Sequence, residues 1–226
     1  IIKTDGANVE LLNTWRTDKE ELKSLWDGVR KIEPIITEKL AIDGPFSSDI
    51  GEDIFVSEDE DEIVLCLNYD GKFGLNNMNL YFQNANTKSE VYSWAEWTFK
   101  VGDPIIFLDT KRSSLLYNNL KGRIADISKS DSAILFTLDI DTILTERQCR
   151  NESFEFVDVT DFGTRIRLEV IAGIEELEDD EERVKTIIPF QIAYAVSIHK
   201  AQGLEYKSVK IIIPSYNAEK ISHSIF

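Results

Sequence analysis

The densest group of chemically useful side chains lies between Ala193 and Tyr206. There the apolar run Ala193-Tyr194-Ala195-Val196 passes directly into Ser197-Ile198-His199-Lys200-Ala201-Gln202-Gly203-Leu204-Glu205. The run reads as a buried strand, and ligands in α/β folds gather at the carboxyl ends of such strands. Ser197 can cap a helix whose free N–H groups face a phosphate. Lys200 offers a compact positive charge, Gly203 permits close backbone approach, and Glu205 can accept a sugar hydroxyl. Singly, each has a plain structural use as helix cap, satisfied histidine or surface charge. The order of the set carries the information.

That order resembles motif V of superfamily 1 helicases of the UvrD/RecD-like kind, usually Thr-Ile/Val-His-Lys-Ser/Ala-Gln-Gly-x-Glu/Thr. Ser197 replaces the threonine and keeps its hydroxyl; His199, Lys200, Gln202, Gly203 and Glu205 match directly. Three looser likenesses fall in the family's order. Leu12-Asn13-Thr14-Trp15-Arg16-Thr17 resembles motif IV, whose arginine reaches the γ-phosphate. A guanidinium suits that task because its donors are fixed in a fork. Val64-Leu65-Cys66-Leu67-Asn68, with Asn79 downstream, is similar to the strand and helix that follow in RecD-like proteins. In those proteins the asparagine at the strand end lies near nucleic acid; Asn68 is equally a good turn residue. Val101-Gly102-Asp103-Pro104-Ile105-Ile106 and Tyr117-Asn118-Asn119-Leu120-Lys121-Gly122 resemble a small barrel inserted before motif V. The family commonly has Asn-Gly where this chain has Asn118-Asn119, and Asn also tolerates a left-handed turn.

The resemblance implies an ATP-dependent DNA helicase acting on single-stranded DNA, with ATP and Mg2+ as nucleotide and metal. It implies Arg16 as catalytic residue, with Arg16, Gly203 and Glu205 facing ATP. Asn68, Ser197, His199, Lys200 and Gln202 would face the nucleic acid. The chain has no Gly-x-x-x-x-Gly-Lys-Ser/Thr phosphate loop. The family keeps that loop and the magnesium-binding acids in its first RecA-like domain. The chain therefore reads as the second motor domain, with an N-terminal RecA-like domain expected before Ile1 and an arginine-bearing motif expected after Phe226. Alone it is expected not to hydrolyse ATP. Tyr92, Trp94, Trp97 and Tyr117 are available either to stack on bases or to pack a core.

Several elements must position these residues. Thr17 and Glu20 have capping-box spacing, and Leu22, Leu25, Trp26, Val29 and Ile32 form one helical stripe that Pro34 should end. Ile63 to Leu67 is apolar without alternation, which suits a strand covered on both faces. A turn at Asn68 to Gly71 and a short helix near Asn76 to Gln83 follow. From Trp94 onward the runs Phe99–Leu108, Gly122–Ile127, Ala133–Ile140 and Phe154–Val170 are short, β-rich and split by turn residues, as in a small antiparallel barrel. Buried strands return at Ile192 to Val196 and Val209 to Ile213. The expected fold class is α/β: a RecA-like parallel-sheet domain interrupted by a small antiparallel β-barrel. The expected divisions are 1–95 and 187–226 for the motor domain and 96–186 for the insertion.

Composition bounds the remainder. The 226 residues carry a formal charge of −16, with 42% apolar and 29% charged residues, which excludes collagen, coiled coil and wholesale disorder. The charge is uneven. Ten acids and no Lys or Arg lie between Leu40 and Gly71, and seven of the eight residues from Glu175 to Glu182 are acidic, so the other residues together stand at +1. A local basic groove is compatible with that distribution, and neither acid run has a calcium-loop register. No apolar stretch reaches 18 residues, the first residues lack a signal-peptide order, and Cys66 and Cys149 have no second ligand at metal spacing. No metal site, no membrane and a cytoplasmic, reducing setting are the expectations. An RNA motor, a translocase of the same superfamily and a non-enzymatic acidic interaction domain are the other readings; the last leaves the motif order without a reason.

Overall fold

The computed structural model describes residues 20–31, 61–87, 89–108, 112–172 and 185–212. The chain divides into two compact units, Ile1–Ile54 with Ser215–Phe226, and Phe55–Pro214. In the first, helix α1 runs from Glu20–Lys31, inside the span that the apolar stripe predicts. Lys23 pairs with Glu20 one turn away at 2.8 Å. Arg16, Thr17 and Pro34 lie outside the described residues, as do most of the first acid run and all of the second.

The second unit is a mixed α/β fold with two main sheets. Strand β1 (Glu62–Cys66) lies between β10 (Ala195–Ser197) and β11 (Ser208–Ile212), parallel to both. Its apolar run is buried on both faces: Ile63, Val64 and Cys66 are all within 3% of full burial. Helix α2 (Leu75–Ala85) follows β1 through a tight turn. Gly74 is required there, because a Cβ would sit 2.5 Å from the Asp70 carbonyl and 2.6 Å from that of Tyr69.

The other sheet has six antiparallel strands in the order β7-β8-β6-β5-β4-β9. In chain order these are β4 (Pro104–Phe107), β5 (Lys121–Lys129), β6 (Ala133–Ile140), β7 (Glu155–Thr160), β8 (Gly163–Ile171) and β9 (Phe190–Ile192). Among the described residues β7 and β9 are its edges. A two-stranded hairpin of β2 (Tyr92–Trp94) and β3 (Trp97–Phe99) precedes it. A four-residue helix α3 (Glu146–Cys149), capped by Thr145 and Gln148, interrupts the β-rich region.

Strict alternation on β6 and β8 sends Ile134, Phe136, Leu138 and Ile140, then Ile166, Leu168 and Val170, into one core. Each such burial stabilises by about 1.5–3 kcal/mol. Four rings meet edge-on in that core, Phe99, Phe107, Phe136 and Phe190, with centroids 5.0–5.9 Å apart. β5 has a bulge between Ile124 and Asp126. The extra residue restores the phase, so that Ile127 points inward with Ile124 although three positions separate them.

The run Ile192 to Val196, expected as one strand, is divided. Phe190–Ile192 pairs with β4 in the antiparallel sheet, and Ala195–Ser197 pairs with β1 in the parallel one. The chain changes sheets at Ala193 and Tyr194. β11 begins one residue earlier than expected, and Ile213 lies outside the described residues.

Gly163 opens β8 at φ +148, and a Cβ there would run into the Ile140 carbonyl and the Thr142 backbone. Gly163→Ala should lower unfolding stability by about 1–3 kcal/mol from the backbone conformation alone, with the clash adding to it. Urea unfolding of the purified variant checks this; a midpoint matching the parent's would contradict it.

Candidate functional site

Ser197 ends β10 and caps helix α4 (Ile198–Ala201), its Oγ accepting the Lys200 N–H at 3.4 Å. Cys66 on β1 pairs in register with Ser197. Asn68 and His199 therefore each stand two residues beyond the same rung, at the same end of adjacent parallel strands. Asn68 is half-buried, and its carbonyl accepts the Leu75 N–H at 2.9 Å, which anchors the start of α2. Ser197 is buried, His199 is exposed and Lys200 is half-buried. Burial holds the Lys200 ammonium below its ordinary pKa. Gln202, Gly203 and Glu205 are exposed. Gly203 adopts φ +85 with no atom within 4 Å of where a Cβ would stand. Its glycine serves the left-handed turn; among the described residues nothing crowds it. Arg16 lies outside the described residues, so the structure gives it no place beside the others.

The elements around the motif hold its flanks by specific bonds. Asn79 on α2 grips Ala195 with both ends of its amide: Nδ2 donates to the Ala195 carbonyl at 3.0 Å, and Oδ1 accepts the Ala195 N–H at 2.8 Å. One residue earlier, the Tyr194 hydroxyl donates to Asp103 Oδ1 at 2.9 Å, and its ring stacks on Phe82 of α2 at 5.9 Å. Asp103 is fully buried. Its Oδ2 also accepts from Gln83 Nε2 at 2.6 Å and from the Lys100 N–H at 2.8 Å. Lys100 Nζ donates to the Gln83 and Asn86 carbonyls, both at 2.8 Å, closing the end of α2. After the motif, Lys121 Nζ donates to the Glu205 carbonyl at 3.1 Å. Asp103 and Lys121 are contact-bearing residues that sequence reasoning placed only within barrel-like segments; no local pattern marks them.

The four aromatic residues considered for stacking separate in the structure. Tyr92 and Trp94 pack against the antiparallel core, while Trp97 and Tyr117 are more than half exposed. Asn119 takes the left-handed conformation at φ +70. Among the described residues no group of three or more His, Cys, Asp or Glu is arranged to hold a metal ion. No described helix is long and apolar enough to cross a membrane.

Neither a protein-family model nor a curated protein matches the chain. Solved structures do. The Pif1 helicase of Bacteroides bound to single-stranded DNA superposes with a TM-score of 0.51 at 16% identity, covering 90% of this chain and 45% of that one. The same helicase with ADP-AlF3 and single-stranded DNA gives 0.51 at 16% identity, covering 92% and 46%. The chain spans under half the length of these structures. The likeness shows a fold shared with these structures. Its representatives are Pif1 proteins, so the narrower UvrD/RecD-like assignment rests on the sequence motifs.

Burial holds the Asp103 carboxyl above its ordinary pKa, against hydrogen bonds from Gln83, Lys100 and Tyr194 and the charge of Lys100. The folded state thus keeps the proton longer than the unfolded state. Stability falls as pH rises from the ordinary carboxylate range through that raised value. In Asp103→Asn the amide oxygen can replace Oδ2 and its NH2 can donate to Tyr194. Relative to the parent, D103N should gain urea resistance as pH rises above the ordinary carboxylate range. A difference between the two proteins that does not change with pH would show an unshifted carboxyl.

Proposed function

We propose that the chain is the second RecA-like motor domain of an ATP-dependent DNA helicase of the UvrD/RecD-like kind. Residues 1–95 and 187–226 form the motor domain, and 96–186 an inserted barrel that bears on the strand. One observation carries the reading: a helicase-type motif, Ser197 to Glu205, starts at the carboxyl end of a parallel strand. That strand lies beside the one leading to Asn68, within a fold of the helicase kind.

In this reading ATP lies between this domain and an N-terminal RecA-like partner that supplies the phosphate loop and the acids for Mg2+. Arg16 reaches the γ-phosphate, where a fixed guanidinium stabilises spreading charge. Gly203 and Glu205 line the nucleotide side. Ser197, His199, Lys200, Gln202 and Asn68 meet the backbone of single-stranded DNA. Cleft closure on ATP then moves one domain along the strand, and the motif, touching both ligands, links the two events.

Two experiments test this. The 226-residue chain alone should hydrolyse ATP no faster than buffer, because positioning and charge stabilisation supply nearly all the rate and half a cleft provides little of either. Clear turnover by the purified chain would overturn the need for a partner domain. In the intact protein, Arg16→Ala should slow DNA-stimulated turnover about 10³-fold, leaving DNA affinity near the parent's. Lys200→Ala should weaken DNA binding and lower its salt slope by about one. Turnover and affinity at two salt concentrations decide both; near-parental turnover of a folded Arg16→Ala would falsify its assignment to the γ-phosphate.

A further inference from the structure

Lys121, the first residue of β5, reaches across to the loop that ends the motif. Its Nζ donates to Asp61 Oδ1 at 3.0 Å and to the Glu205 carbonyl at 3.1 Å, and stands 4.6 Å from the centre of the Tyr206 ring. Asp141 Oδ2 lies 3.7 Å away. The Asp61 carbonyl in turn accepts the Lys207 N–H at 3.1 Å. The side chain is only 22% exposed, so these contacts are less screened than a surface pair. Burial and the Asp61 charge push the Tyr206 hydroxyl up to about 12, so the ring stays neutral under the ammonium.

Within the loop, Leu204 packs half-buried against Ile63, Ile106, Ala193 and Val196. The turn is closed by Leu204 N–H to Ala201 C=O at 3.0 Å, and Gln202, Gly203 and Glu205 are exposed. An ordinary ion pair needs one carboxylate. This ammonium also takes a main-chain carbonyl and an aromatic face, both from the residues that follow Gly203. That combination fixes where the loop ends relative to β5, and β5 is a central strand of the antiparallel sheet.

We propose that Lys121 is a positioning residue: it ties the nucleotide-side loop Gly203–Glu205 to the antiparallel sheet, so that movement at either is passed to the other. The proposal rests on the helicase reading given above. It assigns Lys121 no contact with ATP or DNA.

The test uses the intact protein with ATP and single-stranded DNA, comparing parent, Lys121→Met, Lys121→Arg and Tyr206→Leu. Met keeps the stem and removes the charge. K121M should cut the ratio of DNA-stimulated to DNA-free turnover by about fivefold or more, the lower range for coupling between sites. DNA-free turnover and DNA affinity should stay close to the parent's. K121R should restore most of the ratio, since a guanidinium keeps the charge, the donors and the ring contact. A folded K121M with the parental ratio overturns the proposal. So does a K121M that loses both turnovers in proportion, which marks a purely structural role. Should K121M not fold, Y206L, which keeps the apolar burial, is held to the same ratio. A parent without DNA-stimulated turnover overturns the helicase reading and this proposal together; a stimulated parent with a silent K121M overturns the proposal alone.

Discussion

Strand β4 is the constraint on which the second unit depends, because its few residues serve two cores. Ile105 and Phe107 point into the antiparallel core, while Ile106 packs with Ile63, Ala193 and Val196 beneath the parallel sheet. All three are buried to within 2%. The backbone is as fully used as the side chains. The Pro104 carbonyl accepts the Ala193 N–H at 2.8 Å, Leu108 N–H reaches the Pro189 carbonyl at 2.8 Å, and β9 pairs between them. The incoming chain thus runs along β4 and is then passed to β1, whose Val64 N–H takes the Tyr194 carbonyl at 3.2 Å. The helicase-like motif starts at once after this transfer. Its position is therefore set by both sheets together.

Three side chains make that transfer rigid, each from a different element. Asp103 fixes Tyr194, Asn79 fixes Ala195, and Lys121 fixes Glu205 and Tyr206. Between these anchors lie a four-residue helix with one long cap bond and an exposed left-handed glycine. The buried Asp103 shows the cost of such anchoring. A carboxylate at zero exposure is tolerated because three donors satisfy it, and its pKa still rises.

Some of this was legible in the sequence, and physics separates the parts that were from those that were not. Strands half-covered by a core advertise themselves by alternation, so β6 and β8 could be read directly; β1, covered on both faces, showed as an unbroken apolar run. The motif at Ser197 was legible because its polar residues are ordered along a few consecutive positions. The division between β9 and β10 was hidden, since both halves and the join are apolar and a change of partner leaves no composition mark. The bulge in β5 was hidden for the converse reason: one added residue breaks the period that would reveal it. Lys121 gave no local sign, as its partners stand 60 and 84 residues away. Asn79 could be noticed only as part of a family likeness, because its partner is 116 residues distant.

Asn79 has a further consequence. Among the described residues β10 is an edge of the three-stranded sheet, and an edge presents unpaired N–H and C=O groups to any extended segment that meets it. A side-chain amide is a peptide group in miniature. By giving Ala195 one donor and one acceptor, Asn79 imitates a single residue of a neighbouring strand without supplying a strand. Any intruding chain would have to displace that half-buried amide from both of its partners. The helix that steadies the site therefore also covers the outer edge of the sheet at Ala195.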